Sequence, residues 1–253
     1  MRAYIAAIVL AVFGIGAFAE TVVGNGKVGT ERRTLPAFAS ISIGGSGRLN
    51  VHRGPQKVEI SCDSNLLPYI TTEVSERRLA VGWKPFTNAM RMTKLVVDIT
   101  VPSLEGLSVS GSADAFVDSF EGPEINVKLS GSGSFTGELR YRAASLSTSG
   151  SGSFDILGSF DALDFRCSGS GDARLRGTAG SLSASLRGSG RLEAAGLATR
   201  DASVEISGAC DAEIRAKDSL VARLTGSGRL AYWGDPRLDA KASGAGSVRR
   251  LGP

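Results

Sequence analysis

Thr148-Ser149-Gly150-Ser151-Gly152-Ser153-Phe154 is followed nineteen residues later by Cys167-Ser168-Gly169-Ser170-Gly171-Asp172-Ala173, and nineteen after that by Leu186-Arg187-Gly188-Ser189-Gly190-Arg191-Leu192. Identity drifts, but the central Gly-Ser-Gly persists. Working outward, the same unit or a close variant begins at Gly45, Gly111, Gly131, Gly150, Gly169, Gly188, Gly208, Gly226 and Gly244, and the last eight are 18 to 20 residues apart. Around the glycines apolar and polar residues alternate, the period-2 pattern of half-buried strands. Residues two before the first Gly (Ile43, Val109, Leu129, Leu186, Ile206, Leu224) and four after it (Leu49, Phe135, Phe154, Leu192, Leu230) then share an inner face. A second small-residue place, at Gly158, Gly177, Gly196, Ala216 and Gly234, marks a second corner.

A unit of about 19 residues cannot bury its apolar face alone, whereas stacked copies bury a continuous core. The pattern therefore predicts an all-β protein, a parallel β-solenoid. At about 4.8 Å per strand step, the span from Gly111 to Gly244 is a rod roughly 34 Å long. Glycine suits the corner because the interior narrows there and φ turns positive, which a β-carbon opposes. Glycine makes up 33 of 253 residues, with no Gly-X-Y register and only 8 Pro, which excludes a collagen helix and disfavours a helical domain. A calcium-binding β-roll needs aspartate at a fixed place in each unit. Here the residue three after the first Gly includes Arg48, Arg191 and Arg229.

That place reads Asp172, Arg191, Asp211 and Arg229 on four successive units, so it is expected to form a surface ion-pair ladder serving register and solubility. Cys167 and Cys210 lie two turns apart, roughly 9.6 Å by the strand spacing, so both are expected unpaired.

Residues 1–19 read as a secretory signal: Arg2, an apolar stretch to Phe18, and Ala17-Phe18-Ala19 before Glu20. Residues 20–34 are expected to be a linker, 35–105 a strand-rich N-terminal cap, and 106–250 the regular solenoid. The 66 residues from Gly45 to Gly111 read as about three wider turns closing one end. Tyr232, Trp233 and Pro236 are expected to close the other. The formal charge of +4 is small and dispersed, so nucleic acid is not a predicted partner. No second long apolar run offers a membrane span after signal cleavage.

Phe38-x-x-Ile41-x-Ile43-x-Gly45-Ser46-Gly47-x-Leu49-x-Val51, Asp63-x-Asn65-Leu66-Leu67-x-x-Ile70, Val101-Pro102-Ser103-Leu104 and the Ser-Gly-Ser-Gly ladder together resemble the bacterial putative auto-transporter adhesin head GIN domain family, over roughly residues 35–248. The resemblance implies a right-handed parallel β-helix on an exported protein of Gram-negative bacteria. It brings no catalytic residues with it.

Chemistry is sparse. Gly24-Asn25-Gly26-Lys27-Val28-Gly29 matches a dinucleotide fingerprint in letters only, since no helical pattern follows it. His52 is the only histidine and sits at an outward strand position, so a multi-histidine metal site is excluded. No cofactor is called for. Asp172 and Asp211 have the spacing of a glycosidase pair, but Arg191 between them would hold both ionised. The best candidate contact surface is the insertion from Trp83 to Lys94, with Trp83, Lys84, Phe86, Met90, Arg91, Met92 and Lys94, whose mixture of aromatic, thioether and basic groups suits a glycan or an envelope component. The competing reading is an end cap. The function predicted is a non-catalytic, exported adhesin-like or cell-envelope interaction protein in the periplasm or at the cell surface. A polysaccharide-active lyase or glycosidase and a purely structural envelope protein are the alternatives.

Overall fold

The computed structural model describes residues 20–85 and 87–253; the signal segment expected at 1–19 and Phe86 lie outside the described residues. The chain is a β-solenoid of about eight turns with about 19 residues per turn. Its N-terminal part comprises β1 (Glu20–Val23), β2 (Val28–Arg33), β3 (Ser40–Gly45), β4 (Arg48–Arg53), β5 (Lys57–Asp63), β6 (Ile70–Ser75), β7 (Arg78–Trp83), β8 (Thr87–Met90), β9 (Val96–Val101) and β10 (Gly106–Gly111). Six long strands follow, bent at the corners: β11 (Asp114–Gly131), β12 (Ser134–Gly150), β13 (Ser153–Gly169), β14 (Asp172–Gly188), β15 (Arg191–Gly208) and β16 (Asp211–Gly226). β17 (Arg229–Trp233), β18 (Arg237–Gly244) and β19 (Ser247–Gly252) complete the rod.

From β10 onward each strand pairs in parallel with its copy one turn away, and the repeat sets the register: Gly111 pairs with Gly131, Gly131 with Gly150 and Gly150 with Gly169. The alternating apolar residues fill the interior, where Phe154 packs against Phe135 in a tilted pair at a centroid distance of 5.9 Å and against Phe165 edge to face at 6.2 Å. Burying each such ring stabilises the fold by about 1.5 to 3 kcal/mol. In β13 the inward phase slips at Asp161 and Ala162, which are consecutive and both exposed; this makes a further corner that alternation alone does not announce.

The corner glycines owe their identity to stacking as well as to φ. Gly131 has φ of 119°, and a β-carbon there would overlap the carbonyl oxygen of Gly111. That same oxygen accepts a 2.9 Å hydrogen bond from the backbone N–H of Ser132, so it cannot move aside freely. At the second corner Gly158 and Gly177 are register partners, but Gly196 drops out of line because β15 bulges there and Gly177 pairs with Leu197 instead.

Three expectations about the ends are corrected. First, 45–111 is not three wider turns: Gly45 pairs directly with Gly111. The turn of β3 and β4 lies between the turn of β10 and β11 on one side and that of β7 and β9 on the other, so spatial order departs from chain order. Second, residues 20–34 are no linker. β2 pairs antiparallel with β5, which pairs antiparallel with β9, and β6 lies antiparallel to β7, so these strands cover the N-terminal end. The polar sequence of β2 had disguised a strand whose half-buried side, Gly29, Glu31 and Arg33, carries no large apolar residue. Third, Tyr232 and Trp233 belong to a turn that is itself followed by another: β19 pairs with β17, and β18 lies beyond β16.

Candidate functional site

The strand segments that follow each corner stack into a face with two outward columns. One reads Ser153, Asp172, Arg191, Asp211, Arg229 and Ser247; the other reads Asp155, Arg174, Glu193, Glu213, Ala231 and Arg249, each residue in register with the next. Of the four residues expected to form a ladder, Asp211 and Arg229 close an ion pair in bidentate form, at 2.9 and 2.8 Å. The Arg229 guanidinium holds the Asp211 carboxyl below the usual carboxylate range, assisted by the field of Arg191. Asp172 and Arg191 are register partners, yet among the described residues neither has an ion-pair partner. The adjacent column takes up the pairing instead: Arg174 clasps Glu193 at 2.9 and 3.0 Å, and Arg176 reaches Asp155 at 2.5 Å. Trp233 donates its indole N–H to Glu213 at 2.8 Å, with Arg215 over its ring.

Over this face run two contiguous grooves. One, of about 510 Å³, is lined by Asp155, Asp172, Arg174 and Arg191; the other, of about 390 Å³, continues past Arg191 and Asp211 to Arg229 and Arg249. Arg191, Glu193 and Asp211 line both, so the Arg191 guanidinium stands uncommitted at the junction. A separate groove of about 460 Å³ follows the phase-slip corner, with Ala143, Ala162 and Ser181 on its wall and Leu163, Leu182 and Ala202 at its floor. Sequence reasoning missed it because small residues at a slip look like noise within one turn. Aligned by turn, the column Ala143, Ala162, Ser181 would have shown it.

The insertion folds down onto the rod. Trp83 ends β7 with its indole over Gly45, and Trp83 and Met92 pack against the core. Lys84, Arg91 and Lys94 are exposed, and the Lys84 ammonium lies 5.8 Å from the Tyr69 ring centre. The backbone of Met90 pairs with Val23 where β1 and β8 form a two-stranded sheet.

A residue that the sequence did not single out for a role holds this insertion in place. Asp63 is fully buried, and its carboxylate accepts from the backbone N–H groups of Thr93 (2.7 Å) and Gly26 (2.5 Å) and from the Thr93 hydroxyl (3.1 Å). Those bonds, led by the Thr93 N–H, hold it below the usual carboxylate range.

His52 is exposed, with Nδ1 3.0 Å from Asp118. Among the described residues no group of three His, Cys, Asp or Glu is placed to hold a metal ion. The three cysteines are free and buried. No helix of the described residues is long and apolar enough to cross a membrane.

A parallel β-solenoid with one strand-covered end and a charged groove along its side belongs to the class of elongated repeat proteins that offer faces rather than pockets. Within that class, this chain belongs to the family of the putative auto-transporter adhesin, head GIN domain, whose model matches residues 37–236. Its fold is similar to crystal structures described as putative adhesins from Parabacteroides merdae (26% identity, TM-score 0.88) and Parabacteroides distasonis (26%, 0.87), each match covering 92% of this chain and all of the other. A structure described as a putative lipid binding protein from Parabacteroides distasonis shares the fold at 23% identity and TM-score 0.86, with the same coverage. No curated protein sequence matches it.

Proposed function

We propose that the protein is a non-catalytic, exported interaction module of adhesin type, which takes an extended hydroxyl-rich polymer of the cell envelope along the grooved face. The observation that carries this reading is the pair of contiguous grooves, which repeat the same two outward positions at every strand step of about 4.8 Å. A polymer of repeating units laid along the rod meets a repeating set of carboxylate acceptors and guanidinium donors, with Arg191 and Asp172 free to engage it. The adhesin descriptions of the 26%-identical structures support the same class.

The groove chemistry favours binding over hydrolysis. A glycosidase needs one carboxyl kept protonated near neutral pH. Asp211 is pushed the other way by Arg229. The segment from Trp83 to Lys94 serves the N-terminal cap in this reading, because Trp83 and Met92 face the core. Titrating purified envelope polysaccharides into the protein by calorimetry tests the proposal. Arg191→Ala and Asp172→Asn should each weaken binding about tenfold, the loss of a charge-assisted hydrogen bond, with melting temperature unchanged. New reducing or unsaturated ends that vanish in Asp172→Asn would overturn the non-catalytic reading, and unchanged binding in Arg191→Ala would overturn the choice of face.

A further inference from the structure

The two ends of the rod are finished differently. At the N-terminal end the antiparallel strands β2, β5 and β6 cover the outermost turn. At the C-terminal end β18 pairs with β16 on one side, and among the described residues nothing pairs with its other edge. Every residue of β18 is exposed, including those in inward positions. Leu238 is 44% exposed, while its register partner Leu220, one turn up, is 0% exposed. Ala240 and Ala242 are likewise open, although their partners Ala222 and Leu224 are buried. The last turn thus presents a long strand edge and the uncovered floor of a core, which native sheets ordinarily shield.

We propose that the free edge of β18 pairs antiparallel with β18 of a second copy of this chain, about a two-fold axis through Ala240, joining two rods tail to tail. Residues directly opposite in an antiparallel pair point to the same face, so a two-fold must pass through a residue rather than between two, or inward residues would oppose outward ones. Centring on Asp239 sets Asp239 against itself and Arg237 against Lys241. Centring on Lys241 opposes two lysines. Centring on Leu238 leaves only Arg237 to Asp239 paired within the strand and brings Pro236 opposite Ala240. Centring on Ala240 sets Asp239 against Lys241 twice, Leu238 against Ala242 twice, and Arg237 against Ser243. It also uses nearly the whole strand. Charges meet on the outside and apolar side chains on the inside, and opposite-charge pairs directly across strands are stabilising. Asp239 is already held in place by Arg223, at 2.5 Å. Such a contact is isologous and uses the β18 edge of both copies, so assembly stops at the dimer.

Analytical ultracentrifugation of the purified protein should show a dimer whose dissociation is concentration-dependent. Ala240→Cys should cross-link it under mild oxidation, because the two copies of that residue face each other. Ala242→Cys should not, because its two copies are about 13 Å apart along the strands, beyond disulfide reach. Lys241→Asp and Asp239→Lys should each weaken self-association at least about tenfold by facing like charges. When mixed, the two variants face acid to base at both pairs and should associate again. A protein that stays monomeric at all concentrations overturns the proposal. So does a dimer that cross-links through residue 242 and not 240, or charge variants that self-associate as well as the parent.

Discussion

Gly150 sits directly on Gly131, so close that a β-carbon at Gly150 would lie 2.6 Å from the Gly131 carbonyl oxygen. The obstacle is backbone, held in its own ladder, and Gly150 also has φ of 107°, which L-residues rarely adopt. Gly150→Ala is therefore expected to cost about 3 kcal/mol or more, combining φ strain with displacement of a neighbouring turn. Gly26→Ala is the matched control. There φ is 72°, but nothing lies within 4 Å of the added carbon, and the loss should stay near 1 kcal/mol. Urea denaturation of both variants separates the two contributions. Equal losses would show that stacking contributes nothing.

The relation of Asp63 to Thr93 yields a pH dependence. The carboxyl is held below its ordinary value in the folded protein, so its contribution is present above the unfolded value near 3.9 and is lost as pH falls through the lower folded one. Asp63→Asn should lower the melting temperature by more than about 5 °C at pH 7 and by less in acid, as pH falls below the unfolded value and on through the lower folded one. Hydrogen exchange should quicken at Gly26 and Thr93, whose N–H groups bond that carboxylate, before it does in the regular turns. A uniform change along the rod would count against Asp63 as the local anchor.

These two sites show what the sequence made legible. The regular turns were readable because each position is written again every 19 residues or so, and agreement among Gly111, Gly131 and Gly150 averages away local ambiguity. The N-terminal part is written once. Nothing near Gly45 announces that its spatial neighbour is Gly111, because local alternation describes strands but not the order in which they stack. Asp63 stands in the sequence as part of a family motif with no role attached, since its partners Gly26 and Thr93 come from distant segments. The charged columns were half legible: the spacing put Asp172 beside Arg191, but which guanidinium reaches which carboxylate depends on the path of long side chains that spacing does not describe.

The buried thiols give a third expectation. Burial pushes Cys62 up to about 11 and also raises Cys167 and Cys210. At pH 8 the native protein should react with a thiol reagent far more slowly than a free cysteine, and all three should label once it is unfolded. Because the folded value of Cys62 is raised, the stability associated with it is complete below the unfolded value near 8.5 and is lost as pH rises towards 11. Melting temperature should fall across that window, and a Cys62→Ala variant should show a shallower fall. An identical slope would remove Cys62 as the cause.

Tyr141 ties a regular turn to the crossing segment that brings the chain back from β9 to β10. Its hydroxyl donates to the Leu104 carbonyl at 2.6 Å with the ring 3% exposed, and burial drives the phenol well above its usual range. The ring also presses on Gly122, where an added β-carbon would come within 2.9 Å of it. Tyr141→Phe keeps the ring and removes the donor, leaving a buried carbonyl without its partner, at a cost of about 1 to 3 kcal/mol. Tyr141→Ala removes the packing as well and should cost about 3 to 5 kcal/mol. The gap between the two variants measures how much of the link is ring and how much is hydrogen bond. If Tyr141→Phe were as stable as the parent, the crossing segment would be held by packing alone, and the buried Leu104 carbonyl would have to find another donor.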